Sequence, residues 1–163
     1  MSGERTGMIP NYIYVASSWR NMMHTGVCAA LRSAGIEHYD FKNPPGGTGF
    51  SWKQVKSDGV PSAPIAAKGS DWEDVDEYLA MVHHPRATEG FNADFAAMQR
   101  ADTFVMVLPC GKSAHLELGW AVGAGKRTAI LLENPVEPEL MYLMCDYLAP
   151  SLFDLLGWLG VED

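Results

Sequence analysis

Tyr12-Ile13-Tyr14-Val15-Ala16, followed by Ser17-Ser18-Trp19-Arg20, the run from Asn21 to Ala34, then Gly35 and Ile36 to Phe41, decides the fold. The first five residues are apolar, β-branched or aromatic and stop at two small polar serines, as a buried strand does on entering a loop. From Asn21 to Ala34 the period becomes helical, with Met22, Val27, Ala30, Leu31 and Ala34 on one side. Gly35 stands where a helix ends in a left-handed residue. Ile36 to Phe41 alternates again. Strand, helix, glycine and strand in about thirty residues make a βαβ unit, with parallel strands and a right-handed crossover.

Further along, the pattern repeats with one interruption. Thr103 to Leu108 is the strongest strand pattern, broken by Pro109 and Gly111, and Ala114 to Gly125 follows as a helix of small residues suited to packing on a sheet. Thr128 to Leu132 is the next strand, and Tyr147-Leu148 a short last one. Helical periods cover Asp71 to Val82, a segment from Thr88 or Asn92 to Arg100, Glu137 to Met144 and Ser151 to Leu159. The interruption is Lys42 to Lys68, where Pro44, Pro45, Gly46, Gly47, Gly49, Gly59, Pro61 and Pro64 leave a long irregular loop, reaching about residue 70. The fold class is α/β: a flavodoxin- or Rossmann-like doubly wound parallel sheet of four or five strands between helices.

Size and charge bound the rest. A chain of 163 residues is expected to be one domain, and 47% hydrophobic with 20% charged residues is a globular composition. Twelve Lys and Arg against twenty Asp and Glu give a net charge of -8, which repels nucleic-acid polymers and anionic membranes. Cys28, Cys110 and Cys145 form no CxxC and read as reduced thiols. No signal peptide and no membrane span are evident, so the expected location is the cytoplasm.

Ligands of open parallel sheets bind beyond the carboxyl ends of the strands. Two such ends carry chemistry here: Ser17 to Asn21, and Pro109 to Glu117. Gly111-Lys112-Ser113 is not a P-loop, because Met106 occupies the position of its first glycine. His83-His84 has no cysteine or carboxylate at metal spacing, and no metal or cofactor is expected. Glu117 reads either as an ordinary first-turn charge or as a catalytic carboxylate. Asp94 lies on the preceding helix. Asp102 reads as a helix-to-strand turn residue. Paired carboxylates are what glycosidic-bond chemistry uses.

Phe91-Asn92-Ala93-Asp94-Phe95, Gln99-Arg100-Ala101-Asp102, His115-Leu116-Glu117-Leu118-Gly119 and Gly125-Lys126-Arg127 resemble, in order and spacing, the nucleoside 2-deoxyribosyltransferase superfamily. Ile13-Tyr14-Val15 with Ser17-Ser18-Trp19-Arg20 resembles the first strand and loop of its branch that hydrolyses nucleoside 5'-monophosphates. The resemblance implies that Glu117 is the nucleophile at C1' and Asp94 the second carboxylate. Tyr14 matches a tyrosine near the sugar, and reads equally as a core aromatic. It also implies phosphate binding by Ser17, Ser18 and Arg20. The family's serine lies nearer six residues before the glutamate, where this chain has Gly111, with Ser113 four before. Backbone N–H groups from Gly111 to Ser113 stand in for it.

The loop from Phe41 to Trp52 is expected to close over the ligand, with Phe50 or Trp52 stacking on the base and Phe41 as the substitute. The implied partner is a small nucleotide or nucleoside, and the implied assembly a homodimer or larger, for which apolar Leu140 to Leu159 offers either an interface or a core edge. Two other readings compete: a TIR-like enzyme that cleaves NAD, and a non-catalytic binder of a nucleotide signal.

Overall fold

The computed structural model describes residues 8–47, 49–58, 75–133 and 137–161. The chain divides into two compact units, Met1–Phe41 with Ala97–Asp163, and Lys42–Ala96.

The first unit holds the sheet. Among the described residues its strands are β1 (Ile13–Ala16), β2 (His38–Tyr39), β3 (Thr103–Val107), β4 (Arg127–Leu131) and β5 (Tyr147–Ala149). All pair in parallel, in the order β2-β1-β3-β4-β5. The order reverses between β1 and β3, where Tyr14 pairs with Phe104 and Ala16 with Met106. Alternation along the strands divides the side chains between two faces. Ile13, Val15, Val105, Val107, Ala129 and Leu131 pack with Val27, Cys28 and Leu31 of α1 (Met22–Ser33). The helix at the chain's end, Leu152–Trp158, adds Leu155 and Trp158 to that core. On the other face Tyr14 stacks between Tyr39 and Phe104, at 5.4 and 5.0 Å between ring centroids. Trp120 tilts over Phe104 from the helix Lys112–Gly123. Burial on both faces explains why these strands read as continuous apolar runs. The doubly wound reading holds, with five strands.

Several boundaries differ from the sequence reading, each for a local reason. Asn21 is not in α1 but caps it, its side chain accepting from the Met23 N–H, and Met22 is 80% exposed while His24 takes the buried position. β2 is two residues long. Glu137 to Met144 is not an α-helix: a 3-10 turn, Leu140–Met144, leaves Leu140, Met141, Leu143 and Met144 exposed. Leu155, Trp158 and Leu159 are buried instead, so the apolar C-terminal segment is core at one end and surface at the other.

The second unit is helical: α2 (Trp52–Ser57), α3 (Val75–Val82) and most of α4 (Pro85–Arg100), which runs on into the first unit. α2 interrupts the stretch read as irregular. Ser51 caps it by accepting from the Lys53 N–H at 3.3 Å, and Val55 is buried. Gly59, Pro61, Pro64 and the first residues of the helix read from Asp71, Trp72 included, lie outside the described residues. α4 begins at Pro85, earlier than its periodicity shows, because proline suits the first helical position and loses no helix hydrogen bond there.

Candidate functional site

The carboxyl ends of β1 and β3 lie side by side and are clipped together. Ser17 Oγ donates to the Val107 carbonyl at 2.9 Å. The buried Asn21 amide reaches Ser17 Oγ, the Val107 carbonyl and the Pro109 carbonyl, each at 3.1 Å. Its Oδ1 meanwhile accepts from the Met23 N–H at 2.9 Å. One side chain therefore caps α1 and holds the two loops against each other. An asparagine before a helix reads as a cap from sequence, but the clip joins residues 86 and 88 positions apart.

After β3, Gly111 adopts an extended conformation and caps α5 (Lys112–Gly123) with no side-chain hydrogen bond. The helix begins two residues before Ala114, since one extended glycine suffices to open it. Ser113 is thus helical and exposed, and Glu117 falls in the second turn rather than the first. The help expected from the helix dipole is correspondingly weak, because that effect fades beyond the first turn.

Glu117 is half-buried and close enough to Cys110 to act on it electrostatically. Burial first, and then the charge of Glu117, push the Cys110 thiol up to about 11. His115 Nδ1 lies 3.8 Å from Cys110 Sγ. The same nitrogen lies 2.7 Å from the Gly111 carbonyl, and Nε2 lies 2.9 Å from the Tyr142 hydroxyl. A carbonyl only accepts, so Nδ1 donates to it, and in the neutral ring Nε2 accepts from the Tyr142 hydroxyl. Burial, followed by Cys110, Glu139 and Cys145, raises the Tyr142 hydroxyl above its ordinary value. It stays a proton donor at neutral pH. Tyr142 does not stand out in the sequence, and its pairing with His115 is not legible there, because it joins α5 to the turn before β5.

The remaining candidates separate. Ser17 commits its only hydroxyl proton to Val107, so its geometry is that of a staple. Ser18 Oγ accepts from the Arg20 N–H at 3.2 Å, and Arg20 is exposed. Tyr14 is 1% exposed in its aromatic stack. Phe41 lies in the first unit, 4.6 Å from the His24 ring and 5.4 Å from that of Trp19. Asp94, Phe50 and Trp52 belong to the second unit. There Phe50 meets Trp52 edge-on at 4.8 Å and packs on Gly90 of α4. Asp94 is half-buried on α4. Asp102 accepts from the Asn11 backbone and side chain at 2.8 and 2.9 Å, which is turn work at the amino ends of the strands. Lys126 is also at that end, donating to the Gln99 and Ala101 carbonyls.

Neither a family model nor a curated protein sequence matches the chain. Solved structures do. A 2-deoxyribosyltransferase from the psychrotolerant bacterium Bacillus psychrosaccharolyticus superposes with a TM-score of 0.53 at 16% identity, over 93% of this chain and 92% of that one. A conserved protein from Enterococcus faecalis gives 0.52 at 14% identity, over 93% and 97%. What is shared is the fold. Among the described residues no helix is long and apolar enough to cross a membrane.

Proposed function

We propose that this protein is an N-glycosidase acting on a nucleoside 5'-monophosphate, with Glu117 as nucleophile. The carboxylate attacks C1' on the face opposite the base, the C1'–N bond breaks, and the base leaves with the bonding pair and takes a proton. Water then releases the sugar from Glu117, or a second base does so in a transfer variant. Asp94 is the second carboxylate of this proposal, resting on the resemblance of the Asn92 to Phe95 segment. Tyr14, so deeply stacked, acts in it as a wall behind the sugar site.

The observation that carries the reading is the strand-end rim itself. Glu117 acts electrostatically on Cys110 at the end of β3, and α5 starts between them without a side-chain cap. Uncapped N–H groups at a helix start, with the positive dipole end, favour a phosphate. α1 offers no such vacancy, because Asn21 fills it. The phosphate therefore goes to Gly111 to Ser113, with Ser18 and Arg20 supplying a hydroxyl and a guanidinium from the facing loop. Fold likeness to a 2-deoxyribosyltransferase agrees with this class of chemistry. A homo-oligomer belongs to the same proposal, and light scattering at the assay concentration tests it.

The decisive experiment is incubation with deoxy- and ribonucleotides, nucleosides and NAD, following free base by chromatography. Glu117→Gln is expected to keep the fold and abolish base release, while Arg20→Ala slows release from the monophosphate and spares the nucleoside. Release from NAD alone would favour the TIR-like reading. Binding without release from any substrate would favour the signal-binding one.

A further inference from the structure

We propose that His24, Cys28 and Asp40 form a site for one divalent transition-metal ion of the zinc class. His24 and Cys28 are four residues apart on α1, so they share a face of the helix. Asp40 arrives from the residue after β2. Nε2 of His24 lies 3.7 Å from Sγ of Cys28 and 3.8 Å from Oδ1 of Asp40. All three donor atoms fall within 4.8 Å of one another. Zinc bonds to N, O and S are about 2.0–2.3 Å, so donors placed tetrahedrally around one ion stand roughly 3.3–3.7 Å apart. Two of the three separations lie at or next to that spacing, and the third, at most 4.8 Å, shortens as the set closes on an ion.

Charge and burial point the same way. The His24 and Asp40 side chains are 0% and 11% exposed, and Cys28 is 2% exposed. A buried imidazole, thiol and carboxylate are a donor set that a dication can hold together away from water. Cys28 loses its proton to solvent as the metal–sulfur bond forms, and thiolate plus carboxylate then cancel the two positive charges. Nitrogen, sulfur and oxygen together suit a borderline ion such as zinc rather than calcium or magnesium. The Phe41 ring against His24, with Trp19 edge-on to Phe41, supplies an apolar shell. Three protein donors leave one coordination position for water or another small ligand. The ion would fasten α1 to the exit of β2, and the inference needs no part of the glycosidase reading.

Cobalt reports on it directly. Protein stripped with a chelator and titrated with Co2+ is expected to bind one equivalent, with visible bands of a tetrahedral ion and a near-ultraviolet thiolate charge-transfer band. Adding Zn2+ should bleach both, since zinc binds such sites more tightly. Cys28→Ser should lose the charge-transfer band, whereas Cys110→Ser and Cys145→Ser should keep it. Asp40→Asn, at the more exposed donor, should weaken binding by about tenfold or more, the range that outer partners of a metal site already reach. Zn2+ should raise the melting temperature of the wild type and not of Asp40→Asn, a comparison that stands even if Cys28→Ser fails to fold. Absence of cobalt bands in folded wild-type protein would overturn the site. So would a charge-transfer band that follows Cys110 or Cys145.

Discussion

Removing the charge of Glu117 should be felt at Cys110 before any substrate is added. The thiol is held up at about 11 by burial and then by that carboxylate. In the wild type it is protonated at neutral pH and a poor nucleophile. Glu117→Gln removes the repulsion between thiolate and carboxylate, so the Cys110 thiol should titrate lower and alkylate faster at pH 8–9. Cys145 is also pushed up to about 11, by burial first, so the rates are best compared in a Cys145→Ser background. Equal rates with and without the carboxylate would mean that Glu117 points elsewhere, and would weaken the nucleophile assignment independently of turnover. Glu117 was legible because its local pattern, His115-Leu116-Glu117-Leu118-Gly119, travels with the residue. The pairing of His115 with Tyr142 was not, since it is a contact across 27 residues. The His24, Cys28 and Asp40 group was missed for the same reason. His and Cys four apart on a helix are common, and only the chain's return through β2 brings the third donor.

Among the elements, the β1–α1 junction and the contact of Phe50 with α4 make opposite demands on small changes. Asn21→Ala removes a helix cap and leaves the Val107 and Pro109 carbonyls short of a donor at once. A loss of about 2 kcal/mol in denaturant unfolding is expected, within the range of cap and buried hydrogen-bond deletions. Asn21→Asp keeps the capping acceptor but faces those carbonyls with a carboxylate, so it should not recover that loss. In α4, Gly90→Ala should gain up to about 1 kcal/mol from helix propensity alone. The added methyl, however, would meet Phe50 ring atoms at 3.0 Å and its Cβ at 3.1 Å. A ring can rotate, but a Cβ moves only with its backbone, so the net outcome expected is a lower melting temperature. A higher one would show that the loop carrying Phe50 yields freely. The β1–α1–β2 period was readable because each change of period coincides with a punctuating residue, Ser17 and Gly35. The start of α5 was not, because Gly111, Lys112 and Ser113 are all loop-like in composition while only the glycine is extended. α2 hid among prolines and glycines for a similar reason, being a helix of six residues with one buried side chain.

For the molecule as a whole, the two ends of the sheet in the first unit carry different work. The carboxyl ends bear the clip and the uncapped start of α5, with Glu117 following in its second turn. The amino ends carry structural ties. Arg127 stacks on Trp158 at 3.8 Å and donates to the Met8 and Trp158 carbonyls, and Asp102 holds Asn11. Burial opposes ionisation of Asp102, yet hydrogen bonds from Asn11, Thr103 and Tyr12 outweigh it and bring the carboxyl below its ordinary 3.8. A carboxyl depressed in the folded state binds its proton less readily there than in the unfolded chain. Its contribution is therefore complete well above pH 3.8 and is lost as pH falls below 3.8 through the lower folded value. Asp102→Asn should reduce stability at neutral pH, because the charge-assisted hydrogen bonds from Asn11 weaken, and should also flatten the acid limb of a stability–pH curve below about pH 4. Asn11→Ala should flatten it partially, since the backbone N–H still reaches the carboxylate. Activity per folded molecule should be unchanged in both, because this clip lies at the amino ends of β1 and β3, across the sheet from Glu117. If Asp102→Asn instead abolished base release while folded and stable, the catalytic carboxylate would have to be sought at the amino ends, and the rim at Glu117 abandoned.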